Sequence, residues 1–400
     1  MGIITTSSEF PTLVILNPNS GRKQGRDQLS SVVEPALQKA NIPYKLIETT
    51  GQGHAQSYFT DNIKPILVDL VQSLGQPNDT SSSSSPPSSS SPPAPTLRII
   101  VVGGDGTLHE IVNGILRGIG GEEDGFVTDQ FKPKIEFSII PTGTGNAIST
   151  SLGVGSVQDA VDRFLAGETI PLKVMSVSTP SPSSTTSTEL HPQWTVRTYT
   201  LVVNSYGLHC ATVYDSEGLR SLGNERFKVA AMKNIVALKQ YEGTLNFYGP
   251  VQRYEAMTKS LVDEHPAVTA ASSVDGHNVG PTLSMSGPFT YLLITKQASL
   301  EPGFTPTPLA RTSDEWLDVL AVENAGRMDL MSMFGATGTG EHIQQDKIVY
   351  LKAKAVELEV PTAGRLCIDG EFQDIEAGPS GRVRIEVVSD PKTQLFSVYR

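Results

Sequence analysis

The stretch Ile99-Ile100-Val101-Val102-Gly103-Gly104-Asp105-Gly106-Thr107-Leu108 leaves this chain few folds to choose from. Its β-branched run is short and unbroken, the pattern of a strand buried on both faces in a parallel sheet. Three glycines within four residues then allow a tight turn and close approach of backbone to a bound group. Beyond them Leu108, Ile111, Val112, Ile115 and Leu116 recur at helical spacing, and Thr107 with Glu110 has the spacing of a capping box. A strand that passes through a glycine turn into a helix N-terminus offers backbone N–H groups and a favourable dipole to an anion such as phosphate. Asp105 stands oddly there, because a carboxylate repels phosphate. It suits contact with a metal ion, or acceptance of a proton from an attacking hydroxyl, and it equally suits a plain glycine turn. The turn is not a P-loop, since no Lys-Ser/Thr closes it, and it lacks the third glycine of a dinucleotide fingerprint.

The same setting recurs along the first part of the chain. Thr12–Leu16 reads as a strand ending in Asn17-Pro18-Asn19-Ser20-Gly21, followed by a helix with Leu29, Val32, Val33, Ala36, Leu37 and Ala40 inward and Pro35 as a kink. Tyr44–Glu48 reads as a second strand, leading through Thr49-Thr50-Gly51-Gln52-Gly53-His54 into a helix ending near Leu74. His54 on its own reads as a capping or surface histidine. Ile135–Ile140 is a further strand, closed by Pro141-Thr142-Gly143-Thr144-Gly145-Asn146. In a doubly wound, mostly parallel sheet, ligands sit at the carboxyl ends of strands, so the turns at Asn17, Gly103 and Gly143 are expected to converge on one crevice.

From about Ile170 the texture changes to strands, expected at Leu172–Val177, Val196–Asn204, Thr244–Tyr248, Tyr291–Thr295, Trp316–Glu323 and Lys347–Val360, with one helix at Arg226–Tyr241. The fold class expected is an α/β nucleotide-binding part (residues 1–165) and a mostly antiparallel β part (166–400). Residues 76–95 are nearly all Ser and Pro and read as a disordered surface insert, while 179–188 and 253–281 read as loop inserts. Leu366-Cys367-Ile368-Asp369-Gly370-Glu371 carries two carboxylates around a glycine; by spacing it reads as a hairpin turn before a Mg²⁺ or water-organising site.

A net charge of −11 argues against a nucleic-acid partner and gives no general attraction to anionic membranes. Two cysteines, Cys210 and Cys367, cannot support a disulfide framework, so a reducing, cytoplasmic setting is expected and each reads as a small core residue. No apolar run approaches the roughly 18 residues of a membrane span, so contact with intracellular membranes is expected to be peripheral and transient. The oligomeric state is not legible.

Taken together, Asn17-Pro18-Asn19-Ser20-Gly21, Gly103-Gly104-Asp105-Gly106-Thr107 with Glu110 and Asn113-Gly114, Pro141-Thr142-Gly143-Thr144-Gly145-Asn146 and Asp369-Gly370-Glu371 resemble, in order and spacing, the motifs of the lipid kinase family that includes diacylglycerol, sphingosine and ceramide kinases. The layout is most similar to that of sphingoid long-chain base kinases. The resemblance implies an N-terminal diacylglycerol-kinase-type catalytic domain, a C-terminal β-sandwich-like lipid domain, and ATP-dependent phosphorylation of a lipid alcohol. It implies Asp105 as general base and an ATP site lined by Asn17, Asn19, Ser20, Gly21, Thr49, Gly103, Gly104, Gly106, Thr107, Glu110, Gly143, Thr144, Gly145 and Asn146. Asp369, Gly370 and Glu371 complete it, with Asp369 and Glu371 organising Mg²⁺ through water. The segment Asp215–Phe227 looks like one that brings two arginines to the nucleotide, here Arg220 and Arg226, whose guanidinium forks suit phosphate.

One departure bears on the acceptor. In Gly207-Leu208-His209-Cys210-Ala211-Thr212-Val213, Ala211 and Val213 occupy positions that are acidic in sphingosine-type enzymes, where a carboxylate receives the lipid head. A neutral acceptor such as diacylglycerol or a ceramide-like lipid is therefore as open as a sphingoid base. Two rival readings stand beside the lipid kinase: a soluble-nucleotide (NAD-type) kinase, which shares the glycine–glycine–aspartate turn, and a non-catalytic lipid- or nucleotide-binding relative.

Overall fold

The computed structural model describes residues 12–74, 94–120, 133–181, 193–223, 225–264, 280–378, 381–389 and 394–400. The described residues fall into two compact units, one drawn from Met1–Gly143, Val154–Leu172 and Ser389–Arg400, the other from Thr144–Gly153 and Lys173–Val388.

The first unit is an α/β layer structure. β1 (Thr12–Leu16), β2 (Lys45–Glu48), β3 (Thr96–Gly103) and β4 (Lys134–Pro141) pair in parallel in the order β2-β1-β3-β4. β5 (Thr169–Pro171) is antiparallel to the C-terminal strand Phe396–Tyr399, which in turn lies parallel to β4. The chain's last strand, inside the stretch expected to be lipid-binding, thus completes the first sheet. Its Phe396 packs against Phe137, with ring centroids 5.7 Å apart.

Helices cover both faces, as the unbroken apolar strands require. Val14, Leu16, Ile100 and Val102 point to one face and pack on Leu29, Val33 and Leu37 with Val161 and Phe164 of the helix Val157–Ala166. Pro35 is accommodated by a π-helical turn, Leu29–Val33, immediately before it; the wider turn relieves the clash between a proline ring and the preceding carbonyls. The helices His54–Leu74 and Asp105–Ile119 pack closely on one another. A Cβ at Gly114 would stand 2.4 Å from the Gln56 carbonyl oxygen, and one at Gly118 2.4 Å from Ile63 Cγ2. Gly114, a member of the signature stretch, is therefore a helix-packing residue. Asn113 is buried and returns its amide to the His109 carbonyl at 3.0 Å.

The second unit holds β6 (Met175–Pro180), β7 (Trp194–Thr200), β8 (Val203–Gly207), β9 (Thr244–Glu255), β10 (Ser260–Glu264), β11 (Leu283–Ser286), β12 (Phe289–Thr295), β13 (Leu317–Glu323), β14 (Ile348–Glu359), β15 (Gly364–Ile368), β16 (Glu371–Ile375) and β17 (Arg382–Val387). All pairings among them are antiparallel, in the order β16-β15-β8-β12-β13-β14-β17-β6-β7, with β9 also on β14 and flanked by β10 and β11.

Several sequence expectations change here. The strand expected at Val196–Asn204 is two strands, broken at Leu201-Val202, and that expected at Leu172–Val177 starts only at Met175. Residues 253–264, expected within a loop insert, are the end of β9 and all of β10, a hairpin whose polar, half-exposed strands carry little apolar signal. Thr179 and Pro180, expected to open another insert, end β6. Residues 76–93, 182–188 and 265–279, which include the Ser/Pro insert, lie outside the described residues. The helix expected to reach Tyr241 stops at Ala237, because Tyr241 exchanges backbone hydrogen bonds with Phe289. Two helices not anticipated, Leu208–Ser216 and Arg327–Ala336, have almost no amphipathic contrast to betray them. Both cysteines are buried and free, and no described helix is long and apolar enough to cross a membrane.

Candidate active site

The strand order decides where the turns meet. With β1 and β3 adjacent and β2 and β4 outside them, the direction of winding reverses between β1 and β3, so the helices after these two strands leave on opposite faces and a crevice opens at the strand ends. Asn17 leaves β1 at this point, its N–H donating to the Val102 carbonyl of β3 at 2.9 Å. Its side-chain amide donates to Thr107 Oγ1 at 2.9 Å and its carbonyl oxygen accepts from the Asn19 N–H at 3.0 Å. Thr49 is buried at the end of β2, its N–H on the Leu16 carbonyl at 2.8 Å, and Thr142 N–H reaches the Gly103 carbonyl at 3.2 Å. The four turns that follow β1 to β4 are thus stitched together at one edge of the sheet.

Two glycines are required by that stitching. Gly21 has φ +51°, and a Cβ there would stand 2.2 Å from the Thr142 carbonyl oxygen, inside the backbone of the third turn. A Cβ at Gly103 would stand 2.8 Å from Thr107 Oγ1. At Gly106, by contrast, a Cβ would meet nothing within 4 Å, so this glycine borders open space. Gly21→Ala is expected to destabilise the first unit by about 2 kcal/mol or more, left-handed strain adding to the overlap. Urea unfolding of the variant checks this.

The helix after the glycine turn starts earlier than its sequence suggests. Gly104 is the N-cap and Asp105 the first helical residue, so Thr107 and Glu110 do not form the expected capping box. Thr107 instead receives Asn17. Glu110 turns to a neighbouring helix: its two carboxylate oxygens accept from Gly53 N at 2.8 Å and Ala55 N at 3.2 Å, at the start of His54–Leu74. His54 Nδ1 accepts from the Thr50 N–H at 3.1 Å, a hydrogen bond to the loop before the helix and not a cap on its own amides. A carboxylate on two orphan amides also complements the helix dipole. Glu110→Ala is expected to cost about 2 kcal/mol of stability, the value of hydrogen bonds to a charged group. Equal unfolding midpoints for wild type and variant would refute it.

Asp105 is half-buried and is the first residue of its helix, directly after the turn that follows β3. The third turn ends at Asn146, left-handed at φ 53° and N-cap of the short helix Ala147–Ser151. Of this turn Pro141–Gly143 belongs to the first unit and Thr144–Asn146 to the second.

In the second unit, Asp369 (φ 48°) and Gly370 (φ 92°) make the two-residue turn between β15 and β16, as Asp-Gly predicts. The Asp369 carboxylate reaches back to the break between β7 and β8. Its Oδ2 accepts from Leu201 N at 2.8 Å, and its Oδ1 from Val202 N at 3.0 Å and Val203 N at 2.8 Å. This explains the split strand: amides that would have extended a ladder are gathered onto one carboxylate. Glu371 is exposed beside it. Arg226 pairs with Glu217 at 3.3 Å and stacks on Phe227 at 4.5 Å, with its Nε buried and without a hydrogen-bond partner among the described residues. The side chain of Arg220 lies outside what is described. Among the described residues no cluster of three or more His, Cys, Asp or Glu side chains could hold a metal ion.

With this geometry, the diacylglycerol kinase catalytic domain matches residues 11–75 and 90–177. The YegS C-terminal NAD kinase beta sandwich-like domain matches residues 211–386. The chain carries a diacylglycerol kinase catalytic domain followed by a YegS C-terminal domain. Among curated proteins, sphingosine kinase 1 of Arabidopsis thaliana is 26% identical over 362 residues, covering 87% of this chain and 64% of that protein. Sphingosine kinase 1 of Homo sapiens is 26% identical over 382 residues, covering 91% and 86%. Ceramide kinase of Mus musculus is 24% identical over 250 residues, covering 60% and 39%. The chain thus spans less than two thirds of the length of its Arabidopsis relative. The fold is that of a diacylglycerol kinase from Bacillus anthracis str. Sterne, with TM-score 0.54 at 16% identity, covering 98% of this chain and 96% of that one.

Proposed function

We propose that this protein transfers the γ-phosphoryl group of ATP to the hydroxyl of a lipid alcohol, with Asp105 as the general base. The observation that carries this reading is the placement of Asp105: a half-buried carboxylate at a helix N-terminus, beside four turns joined at the carboxyl edge of one parallel sheet. Backbone N–H groups at such a place suit the nucleotide phosphates, whereas a carboxylate there suits the proton of the attacking hydroxyl. A lipid alcohol is a weak nucleophile at neutral pH, and in a loose phosphoryl-transfer transition state its proton leaves late, so the base need only be positioned to receive it. The kinase names of the relatives support the same reading. In it residues 1–165 handle the nucleotide and 166–400 the lipid.

The proposed nucleotide contacts divide by what their side chains already do. Asn17, Thr107 and Glu110 are committed to protein groups, so in this reading their side chains hold the turns in place and the glycine turns themselves approach the phosphates. Magnesium, when bound with ATP, would neutralise charge on the phosphoryl oxygens. The donors fit an outer-sphere role: the Asp369 oxygens receive three amides, so Asp369 and Glu371 would reach the ion through water.

The test is transfer from radiolabelled ATP to a sphingoid base, a ceramide, a diacylglycerol and NAD, presented to the full chain. Label in a lipid is the expected result. Label in NAD alone would replace the lipid reading with a soluble-nucleotide kinase, and no transfer at all would favour a non-catalytic relative.

A further inference from the structure

The chain leaves β12 through Thr295-Lys296-Gln297-Ala298-Ser299, and the three polar residues that open this segment are fully buried. Polar side chains so placed have to be satisfied within the protein, which ties the segment to its surroundings. Lys296 anchors it. Its ammonium donates to the Asp314 carboxylate at 2.6 Å and to the Asp314 and Trp316 carbonyls at 2.7 and 2.6 Å, so all three of its donors are used.

One end of the segment grips the break between β7 and β8. Thr295 Oγ1 donates to the Val202 carbonyl at 2.5 Å and Gln297 Nε2 to the Leu201 carbonyl at 2.8 Å, while Gln297 Oε1 accepts from Thr312 Oγ1 at 2.8 Å. The amides of the same two residues, Leu201 and Val202, donate to the Asp369 carboxylate. The break is thus held on two sides, its carbonyls by Thr295 and Gln297 and its amides by Asp369.

The other end grips the helix that follows the third glycine turn. The Ser299 N–H donates to Ser151 Oγ, and the Ser151 hydroxyl donates to the Ser299 carbonyl, both at 3.1 Å. Ser151 is the last residue of the helix Ala147–Ser151, whose N-cap is Asn146. Between the two grips Thr307 fixes the backbone, its Oγ1 donating to the Gln297 carbonyl at 2.7 Å and its N–H to the Ala298 carbonyl at 3.3 Å. All of these residues belong to the second unit. Gln297 and Ser299 are separated by about 7 Å of chain at full extension, which leaves little slack to absorb a shift at either end.

We propose that Thr295–Ser299 is a brace that sets Thr144-Gly145-Asn146 and the Asp369-Gly370-Glu371 turn in fixed relation for one nucleotide, with Gln297 as the positioning residue that acts on Asp369 through Leu201. The inference rests on the nucleotide site proposed above. Phosphoryl transfer depends on placement more than on covalent chemistry, and a misplacement of about 1 Å made away from the reacting atoms can cost on the order of a hundredfold in rate. Buried hydrogen bonds also stabilise the fold, so placement has to be separated from stability. Thr312→Val does this: it takes one partner from Gln297 and leaves the bond to Leu201 intact.

The experiment uses the full chain and its Gln297→Met, Thr312→Val and Ser151→Ala variants, with urea unfolding and fluorescence titration of mant-ATP in Mg²⁺ and in EDTA. Gln297→Met and Thr312→Val are both expected to lower the unfolding midpoint. Only Gln297→Met is expected to weaken mant-ATP in Mg²⁺, by about fivefold to tenfold, with no change in EDTA, because Asp369 acts on the nucleotide through the ion. Ser151→Ala, beside the third turn itself, is expected to weaken mant-ATP by about threefold in both buffers. Equal affinity for wild type and Gln297→Met, or an equal loss in Thr312→Val, would overturn the proposal and leave Gln297 a residue of the fold alone. Should Gln297→Met not fold, Ser151→Ala decides, and unchanged affinity there would overturn the brace. A wild-type chain that does not bind mant-ATP would overturn the kinase reading and the brace with it.

Discussion

Asp105→Asn is expected to lower the rate of phosphoryl transfer to the lipid by about a thousandfold, within the ~10²–10⁴ range of general-base removal, while ATP affinity and stability stay nearly constant. The substitution keeps the size of the side chain and suits the first turn of a helix, and the turn around it is set by Gly103, Gly104 and the Asn17–Thr107 hydrogen bond. What it removes is the ability to take a proton. Losing a negative charge at the N-terminus of Asp105–Ile119 costs about 0.3–1 kcal/mol, too little to unfold the unit. Single-turnover transfer, with nucleotide binding measured on the same preparation, separates the effects. Transfer within tenfold of wild type would remove Asp105 from its role, and a parallel loss of ATP binding would make it a structural residue.

Asp369→Ala is expected to have the largest effect on stability, about 2–3 kcal/mol, since a half-buried carboxylate that receives three amides is lost. Three consecutive amides, Leu201, Val202 and Val203, converge on this one carboxylate at 2.8–3.0 Å. Removing it leaves all three donors at the junction of β7 and β8, where the chain has given up its ladder pairing. Asp369→Asn separates anchor from charge. Its carbonyl oxygen could still receive Val202 and Val203, but its amide would face the Leu201 N–H, donor against donor, so an intermediate loss is expected. Denaturant titration of both variants checks the order. If Asp369→Asn abolished transfer with unchanged stability, the carboxylate would be acting on the nucleotide or its ion and not on the fold.

The contrast between these aspartates shows where sequence reasoning holds. Around Asp105 it is accurate, because strand, glycine turn and helix are consecutive and each leaves a local pattern: β-branched run, glycines, apolar residues at helical period. At Glu110 the pattern misleads. Its spacing from Thr107 suggests a cap within one helix, yet the helix begins at Asp105 and the glutamate caps the neighbouring helix at Gly53 and Ala55. The available clue was negative: the two residues before His54, Gln52 and Gly53, include no Ser, Thr, Asp or Asn to cap that helix. At Asp369 the Asp-Gly pair predicts its hairpin correctly, but nothing local tells that its carboxylate holds residues far away in sequence.

The fold class, the three glycine turns and the candidacy of Asp105 follow from residues close together in the chain, since dihedral preference and periodicity act over a turn or two. The tertiary structure decided which strands are neighbours, and through the order β2-β1-β3-β4 it placed the reversal of winding between the Asn17 and Gly103 turns. It also decided which side chains are already spent on protein groups, Asn17 on Thr107 and Glu110 on the amides of Gly53 and Ala55. Hydrogen-bond satisfaction is a balance struck in space over the whole unit, and no local stretch carries its sum.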